Sequence, residues 1–207
     1  MSPLAHRRVL KMNGLGNEIV VLDLRDMDHV VTAEEARAIG RAPGLAFDQL
    51  MVLHAPRTAG TEAFVLIYNI DGSEAGACGN GTRCVAWALN AETGRSRFTV
   101  ETGADLLVCE RLEDWRYSVD MGAPRFGWRE IPLAHDVPDT IRVPIETAPL
   151  KAGLPTDFTA VSMGNPHALF FVADVEAHDL ARVGPLLETA PLFPERANIS
   201  LAAVTAP

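Results

Sequence analysis

The chain has 207 residues, of which 48% are hydrophobic and 22% charged, and its formal net charge is −9. This apolar share is enough to build a core, which excludes a chain that is disordered throughout. The acidic balance argues against a nucleic-acid partner, and the apolar runs are too short to cross a bilayer, so we expect neither nucleic-acid binding nor a membrane span. The basic N-terminus is not followed by the apolar stretch of an export signal, and we therefore expect a cytoplasmic protein.

The first predicted elements are a strand, a helix and a set of further strands. A short buried strand is predicted at residues 19–22, after the glycine-rich turn at residues 14–17. Thr32 is the predicted N-cap of a helix over residues 33–41, since acidic residues in its first turn suit the helix dipole. Further strands are predicted at residues 49–53, 64–68, 97–100, 105–109 and 117–119, and a turn at residues 69–73.

A second helix is predicted over residues 79–91 and ended by Gly94. Cys84, Val85, Trp87 and Leu89 are apolar on several sides of this helix. A helix that is apolar nearly all round is buried, so we expect it to lie inside a sheet or barrel.

Residues 121–155 differ in composition from the region before them, because they hold six prolines among short strand-like pieces. We interpret this stretch as sheet edges and connections and place a domain boundary near Asp120. The predicted domains are residues 1–120 and residues 121–207.

The two halves contain an internal repeat. Asn17 precedes an apolar strand and a helix and is followed 32 residues later by Gln49, while Asn165 precedes the same order of elements and is followed 33 residues later by Asn198. The same element order with carboxamide side chains at matching places predicts two related domains that face one cleft.

Cys78 is the candidate catalytic residue. It comes just before a predicted helix start, among small residues that let a ligand approach the backbone. The unpaired amides of the first helical turn would bind a carboxylate and lower the pKa of the thiol, and a thiolate there could take a proton from the carbon beside that carboxylate. The alternative is a glycine-rich turn with a structural cysteine. We interpret Cys84 and Cys109 as structural, and the cysteine spacing does not suit zinc.

Six motifs, in the same order along the chain, resemble those of diaminopimelate epimerase. They are Lys11-Met12-Asn13-Gly14-Leu15-Gly16-Asn17, Asp48-Gln49, Asn69-Ile70-Asp71-Gly72-Ser73-Glu74, Cys78-Gly79-Asn80-Gly81-Thr82-Arg83-Cys84, Ser162-Met163-Gly164-Asn165-Pro166-His167 and Phe193-Pro194-Glu195-Arg196-Ala197-Asn198. The resemblance implies an α+β fold of two structurally similar domains, each a barrel-like β-sheet around a central helix, with the second domain incomplete in this chain. It implies an epimerase that needs no pyridoxal, other cofactor or metal and converts LL-diaminopimelate to meso-diaminopimelate for lysine and cell-wall precursor synthesis. It also favours a homodimer.

The resemblance gives each matching residue a role. It makes Cys78 one of two acid/base residues and places His167 near the reacting carbon, where it would tune the cysteines. Gly79 and Asn80 would bind the carboxylate at the reacting end through backbone amides, and Gln49 would line the site. Substrate contacts, mostly at the distal end, are implied for Asn17, Asn69, Asn165 and Asn198.

This chain departs from the family pattern at three places near the site. Asn13 replaces a histidine, and Glu18 with Ile19 replaces an aspartate-phenylalanine pair. Phe47 stands in a segment that is usually smaller, and we expect its bulk to affect Gln49.

A further departure is an absent motif. Inversion without a cofactor needs a base on one face of the carbon and an acid on the other. The family's second cysteine, in a Cys-Gly-Thr-Gly motif preceded by a Glu-Arg pair, is absent from the 207 residues. The repeat places it roughly 29 residues after Asn198, at about position 227. We therefore expect the chain as printed to be a fragment that cannot complete the reaction.

Two alternatives remain open at the level of sequence. The chain could be a related isomerase or racemase that acts on another small acid, which a hydrophobic distal pocket in place of the carboxamides would indicate. It could also be a non-catalytic binding or interaction module that keeps one half-site, which ligand binding without hydrogen exchange at the α-carbon would indicate.

Overall fold

A computed structural model describes residues 3–146 and 153–205. The chain divides into two compact units, Met1–Gly122 (unit 1) and Ala123–Pro207 (unit 2). The division follows Gly122, close to the boundary at Asp120 expected from the sequence.

Unit 1 is built on one mixed sheet. Its strands are β1 (Val9–Gly14), β2 (Asn17–Asp23), β3 (Gln49–His54), β4 (Phe64–Asn69), β5 (Glu74–Ala75), β6 (Arg97–Glu101), β7 (Leu106–Glu113) and β8 (Arg116–Asp120). The strand order is β1-β2-β3-β4-β6-β7-β8, and β5 pairs with β4. Two helices, α1 (Ala33–Arg41) and α2 (Gly79–Thr93), complete the unit.

The sheet of unit 1 curves around α2. Strands from both ends of the sheet, β1 and β8, contact this helix. Val85 and Leu89 of α2 are at most 1% exposed and belong to one core with Met51 and Phe98 of the strands. The helix ends at Gly94, whose φ of 71° is left-handed and suits glycine. The expected barrel-like sheet around a central helix is therefore confirmed for unit 1.

The outer face of the sheet is covered by α1. Thr32 caps this helix, since its side chain accepts from the Glu35 backbone N–H while the Glu35 carboxylate accepts from the Thr32 N–H. Ala36 of the helix packs into a second core with Val52 and Tyr68. Strand residues thus alternate between the core around α2 and the core under α1, as expected for a period of two.

Unit 2 has a smaller sheet. Its strands are β9 (Val143–Pro144), β10 (Asp157–Ser162), β11 (Pro166–Phe171) and β12 (Asn198–Ala202), in the order β12-β11-β10-β9. A short 3-10 helix (Val175–Ala177) and α3 (Leu180–Glu188) connect β11 to β12. Phe158, Phe170 and Phe193 form aromatic contacts in the core of the unit. The proline-rich stretch predicted as edges and connections contains β9, and its residues 147–152 lie outside the described residues.

The internal repeat is visible in strand pairing. Each unit has an antiparallel hairpin, β1 with β2 and β10 with β11, followed by a helix and a strand parallel to the second strand of the hairpin. In the parallel pairs, Ile19 stands opposite Gln49 and His167 stands opposite Asn198. The two hairpins turn at Gly16 (φ 93°) and Gly164 (φ 94°), where L side chains are disfavoured. The repeat predicted from spacing is thus confirmed down to the residue register.

Candidate active site

The sheet of unit 1 gathers several predicted site residues at one end. Because β2 and β3 are parallel, Asn17 and Gln49 begin their strands at the same end of the sheet. Strand β4 is antiparallel to β3 and ends at Asn69, directly opposite Gln49. Cys78 is the N-cap of α2, and its thiol reaches Gln49. Residues that lie far apart in sequence are thus brought to one end of the barrel.

The Cys78 thiol is half-buried between the helix and β3. Its Sγ accepts from the backbone N–H of Gly81 at 3.2 Å and its S–H donates to Gln49 Oε1. Burial raises the pKa of Cys78, and it outweighs the backbone N–H groups of Gly81 and Asn80 and the nearby Arg83 guanidinium, which favour the thiolate. The expected lowering of the pKa is therefore wrong. The helix start acts in the expected direction, but the surrounding strands bury the thiol enough to reverse the net shift.

The first turn of α2 carries a chain of polar contacts that reaches the β1–β2 hairpin. Arg83 Nη2 donates to Asn80 Oδ1, and Asn80 Nδ2 donates to Asn17 Oδ1 at 2.7 Å. Gly14 permits this approach, since a Cβ there would lie 3.1 Å from the backbone oxygen of Asn80. Asn17 and Asn80 were predicted in the site from the sequence, whereas no role was predicted for Arg83. Its position three residues after Asn80, on the same helix face, was the available signal.

Gly79, the first residue of α2, leaves the backbone beside Cys78 open. A Cβ there would meet only Met121 Sδ at 3.5 Å and Arg83 Nη1 at 3.9 Å within a 4 Å radius. The space beside Gly79 is therefore bordered by these two side chains, and the binding of a carboxylate to its backbone N–H stays a prediction.

Asn69 is fixed by the turn that follows β4. Its backbone N–H donates to the Ser73 carbonyl at 2.8 Å, and its Nδ2 donates to Ser73 Oγ at 3.1 Å. Gly72 makes the turn possible, since it has a φ of 83° and a Cβ there would lie 2.4 Å from the carbonyl oxygen of Ala33. The turn predicted from residues 69–73 thus holds Asn69 beside Gln49.

Phe47 does not crowd Gln49, contrary to the expectation from its bulk. Phe47 is 4% exposed and belongs to the core under α1. Its ring lies near Gly40 of that helix, where a Cβ would come within 3.2 Å of Phe47 Cε1. The Gln49 side chain instead reaches Cys78. The two side chains therefore point into different layers.

Two departures from the family pattern contact each other. Asn13 Nδ2 donates to Glu18 Oε1 at 2.9 Å, and Asn13 Oδ1 accepts from the Gly16 N–H at 3.0 Å. Glu18 also forms an ion pair with Lys11, which is the main reason that the pKa of its carboxyl lies below the usual value. The replacements at positions 13 and 18 thus brace the hairpin turn before Asn17.

The predicted site residues of unit 2 also lie together. His167 Nε2 is 2.9 Å from Asn165 Oδ1, and Asn198, which stands opposite His167 in the parallel pair, donates through Nδ2 to the Pro166 carbonyl at 3.0 Å. Burial lowers the pKa of His167, which favours the neutral ring. Because an amide oxygen only accepts, the Nε2 atom carries the hydrogen in this contact and Nδ1 is left as an acceptor.

The other cysteines lie in the core of unit 1. Cys84 is 5% exposed and Cys109 is 0% exposed, and burial raises the pKa of Cys84 to about 11 and that of Cys109 to about 12. Their interpretation as structural residues agrees with this burial. Within residues 3–146 and 153–205, no group of three His, Cys, Asp or Glu side chains could hold a metal ion, and no helix could span a membrane.

Solved structures resemble this chain at low sequence identity. A protein described as a predicted epimerase from Pseudomonas aeruginosa matches with a TM-score of 0.60 at 17% identity, over 94% of this chain and 69% of that one. A hydroxyproline epimerase from Agrobacterium vitis matches with a TM-score of 0.51 at 15% identity, over 87% of this chain and 54% of that one. At these identities the likeness concerns the fold alone, and it agrees with the predicted α+β fold class.

Sequence relatives match much more closely. The family model for diaminopimelate epimerase matches residues 9–127. A diaminopimelate epimerase of Methylobacterium sp. (strain 4-46) is 60% identical over 211 residues, which cover all of this chain and 72% of the relative. One from Methylocella silvestris is 54% identical over all of this chain and 71% of its own length. The chain therefore belongs to the diaminopimelate epimerase family of amino-acid epimerases.

Proposed function

We propose that the protein interconverts LL- and meso-diaminopimelate by proton transfer at the α-carbon, with Cys78 as one acid/base residue. The observation that carries the proposal is the position of the Cys78 thiol, which caps a buried helix and contacts both the Gly81 N–H and the Gln49 amide. The identity of this chain to relatives named for that reaction supports the choice of substrate.

The start of α2 suits the binding of a carboxylate next to the reacting carbon. The first N–H groups of a helix lack partners within the helix, and with the dipole they attract an anion. The backbone at Gly79 and Asn80 would bind the substrate carboxylate, and fixed N–H groups would stabilise the charge that develops on it during deprotonation. The adjacent α-carbon would then lie near the Cys78 sulfur.

Burial of Cys78 suits its proposed use as a base. A thiolate with a raised pKa holds a proton more strongly, so it is a stronger base toward carbon once it has formed. Gln49 carries both an acceptor oxygen and a donor NH2, so its amide can accept from the thiol and, after turning, donate to the thiolate. This contact would let Cys78 alternate between acid and base.

The second acid/base residue is proposed to be a cysteine outside the 207 printed residues. Cys84 and Cys109 are unsuited to the role because both are buried in the core of unit 1. We propose that His167, a neutral ring fixed by Asn165, tunes the cysteines, and that Asn17, Asn69, Asn165 and Asn198 bind the substrate. Carboxamides offer donors and acceptors without fixed charge, so they suit a substrate that carries both ammonium and carboxylate groups.

The experiment is an exchange assay in D2O with LL-diaminopimelate. Chiral chromatography measures conversion to the meso form, and mass spectrometry measures deuterium at the α-carbon. We expect no conversion by the 207-residue chain alone, and conversion after it is extended with the part of the Methylobacterium relative that it does not match. In the extended chain, Cys78→Ala should abolish conversion, while the matched control Cys84→Ala should retain it.

Three results would contradict parts of the proposal. Conversion by the 207-residue chain would refute the need for a second cysteine outside it. Conversion by the Cys78→Ala variant would remove Cys78 from the mechanism. Calorimetric binding of diaminopimelate by the extended chain without conversion or deuterium uptake would favour a binding module instead of an enzyme.

A further inference from the structure

We propose that Arg83 is a positioning residue that sets which way the carboxamides of Asn80 and Asn17 point, so that Asn17 presents its NH2 group to a carboxylate of the ligand. Arg83 Nη2 donates to Asn80 Oδ1, and Asn80 Nδ2 donates to Asn17 Oδ1 at 2.7 Å. Helix α2 is thereby connected to the first residue of β2 through three side chains.

The direction of this relay follows from the chemistry of its first member. A guanidinium has five N–H donors and no acceptor, so only the oxygen of Asn80 can face Arg83. The NH2 group of Asn80 then faces Asn17 and must meet the oxygen of that amide. Each amide is thus fixed in one of its two orientations by the donor before it.

The relay leaves one donor unused. In the described part of the chain, the Asn17 side-chain NH2 has no hydrogen-bond partner, although the residue is half-buried at the end of the sheet that carries Cys78. This NH2 group is accessible to solvent, so an acceptor on a ligand can take the place of water there. A carboxylate supplies such an acceptor and an ammonium does not, so Asn17 is predicted to select the acidic end of an amino acid.

Arg83 is available for this role because no acid in the described part of the chain neutralises it. Within residues 3–146 and 153–205 it forms no ion pair. Its guanidinium also lies beside the open backbone at Gly79, where a Cβ would be 3.9 Å from Nη1. An acidic side chain paired with Arg83 would compete with Asn80 for the N–H donors of the guanidinium. None of the ion pairs in the described residues places an acid there.

The orientation of the amides can be measured without any ligand or turnover. In 15N-labelled protein, the side-chain NH2 signals of Asn80 and Asn17 are assigned and their exchange with solvent is followed. We expect Arg83→Met to reduce the protection of the Asn80 NH2 group about tenfold, since its hydrogen bond to Asn17 is no longer enforced. Arg83→Lys keeps a pure donor at this place and should preserve the protection, and unchanged backbone amide signals show that the fold is intact.

A second variant tests the next step of the relay, and serves also if Arg83→Met does not fold. Asn80→Asp still accepts from Arg83 but cannot donate to Asn17, so the Asn17 amide should turn and donate its NH2 group to the new carboxylate, and the Asn17 NH2 signals should shift and gain protection from exchange. Unchanged protection of Asn80 in Arg83→Met, equal loss in Arg83→Lys, or unchanged Asn17 signals in Asn80→Asp would each overturn the relay.

The ligand part of the inference rests on the proposed function, and it is tested separately in the extended chain. Addition of diaminopimelate should shift the Asn17 NH2 signals, whereas lysine, which lacks one of its two carboxylates, should shift them less. An equal effect of both compounds would refute selection of a carboxylate by Asn17 while leaving the relay intact. If diaminopimelate shifts no site signals at all, the proposed function fails, whatever the exchange data show for the relay.

Discussion

Replacement of Gln49 by alanine should make the Cys78 thiol more acidic. In the structure, the S–H of Cys78 donates to Gln49 Oε1, and this contact stabilises the neutral thiol. Burial is the largest cause of the raised pKa of Cys78, and truncation of Gln49 also removes part of the cover over the sulfur. Both effects act in one direction, so Gln49→Ala should shift the thiol toward the thiolate.

The size of the effect follows from the single hydrogen bond that is lost. A net contribution of about 0.5 to 1.5 kcal/mol corresponds to about a two- to tenfold higher thiolate fraction at a pH below the pKa. Alkylation by iodoacetamide reports that fraction, because only the thiolate reacts. Mass spectrometry of the peptide that carries Cys78 separates its reaction from that of the two buried cysteines.

Asn69→Ala provides the matched control. Asn69 stands opposite Gln49 in the β3–β4 pair, but its side chain donates to Ser73 and not to Cys78. Its removal should leave the alkylation rate of Cys78 unchanged. Slower alkylation in Gln49→Ala would refute the reasoning, since it would mean that Gln49 acts mainly by donating its NH2 to the thiolate.

Two further predictions concern stability. Gly72→Ala should lower the free energy of unfolding by about 2 to 4 kcal/mol in urea denaturation, because its φ is 83° and the new Cβ would lie 2.4 Å from the Ala33 carbonyl oxygen. Gly44 has a φ of 78° but open space around it, so Gly44→Ala should lower the free energy of unfolding clearly less. Equal losses of stability in the two variants would contradict the clash at position 72. Burial lowers the pKa of His54 from 6.5 in the folded protein. Below pH 6.5 the unfolded chain therefore binds a proton more readily than the folded chain does, and the free energy of unfolding should fall as the pH drops. His54→Leu should make this dependence of stability on pH shallower, while the control His135→Gln, at an exposed position, should leave it unchanged. An unchanged dependence in His54→Leu would mean that other groups cause it.

Elements with local signals were predictable from the sequence. The helix from Ala33 to Arg41 was predicted with its bounds, because Thr32 is a suitable N-cap and acidic residues occupy the first turn, and the structure adds that Thr32 and Glu35 form a capping box. The buried helix predicted over residues 79–91 is observed as Gly79–Thr93. The two additional residues before Gly94 are exposed. The strand β7 runs further than predicted, to Glu113. Its last four residues are exposed and three of them are charged, so they show no apolar alternation that would predict a half-buried strand.

The environment of the site depended on contacts between distant residues and was less predictable. The helix start at Cys78 suggested a more acidic thiol, but α2 lies among β1, β2, β3, β7 and β8, and burial of the sulfur reverses the shift of its pKa. The side chain of Phe47, just before β3, points to the face of the sheet that α1 covers, and the sequence alone did not indicate which face it would take. Arg83 gains its partner Asn80 locally, but the importance of that contact comes from Asn17, which the β1–β2 hairpin brings to the helix.

The side-chain oxygens of Asn17 and Asn165, which occupy equivalent places in the repeat, accept hydrogen bonds from different donors in the two units. Asn17 and Asn165 occupy equivalent places, two residues before Ile19 and His167, which stand opposite Gln49 and Asn198. In unit 1 that residue is Ile19, whose side chain has no donor, and the oxygen of Asn17 instead accepts from Asn80 of the helix. In unit 2 it is His167 of β11, whose Nε2–H donates to the oxygen of Asn165, the residue just before that strand. In each case a donor of the chain itself occupies the amide oxygen, which leaves the NH2 group for another acceptor. The ligand contacts proposed for these two amides therefore require an acceptor, which a carboxylate provides and an ammonium group does not.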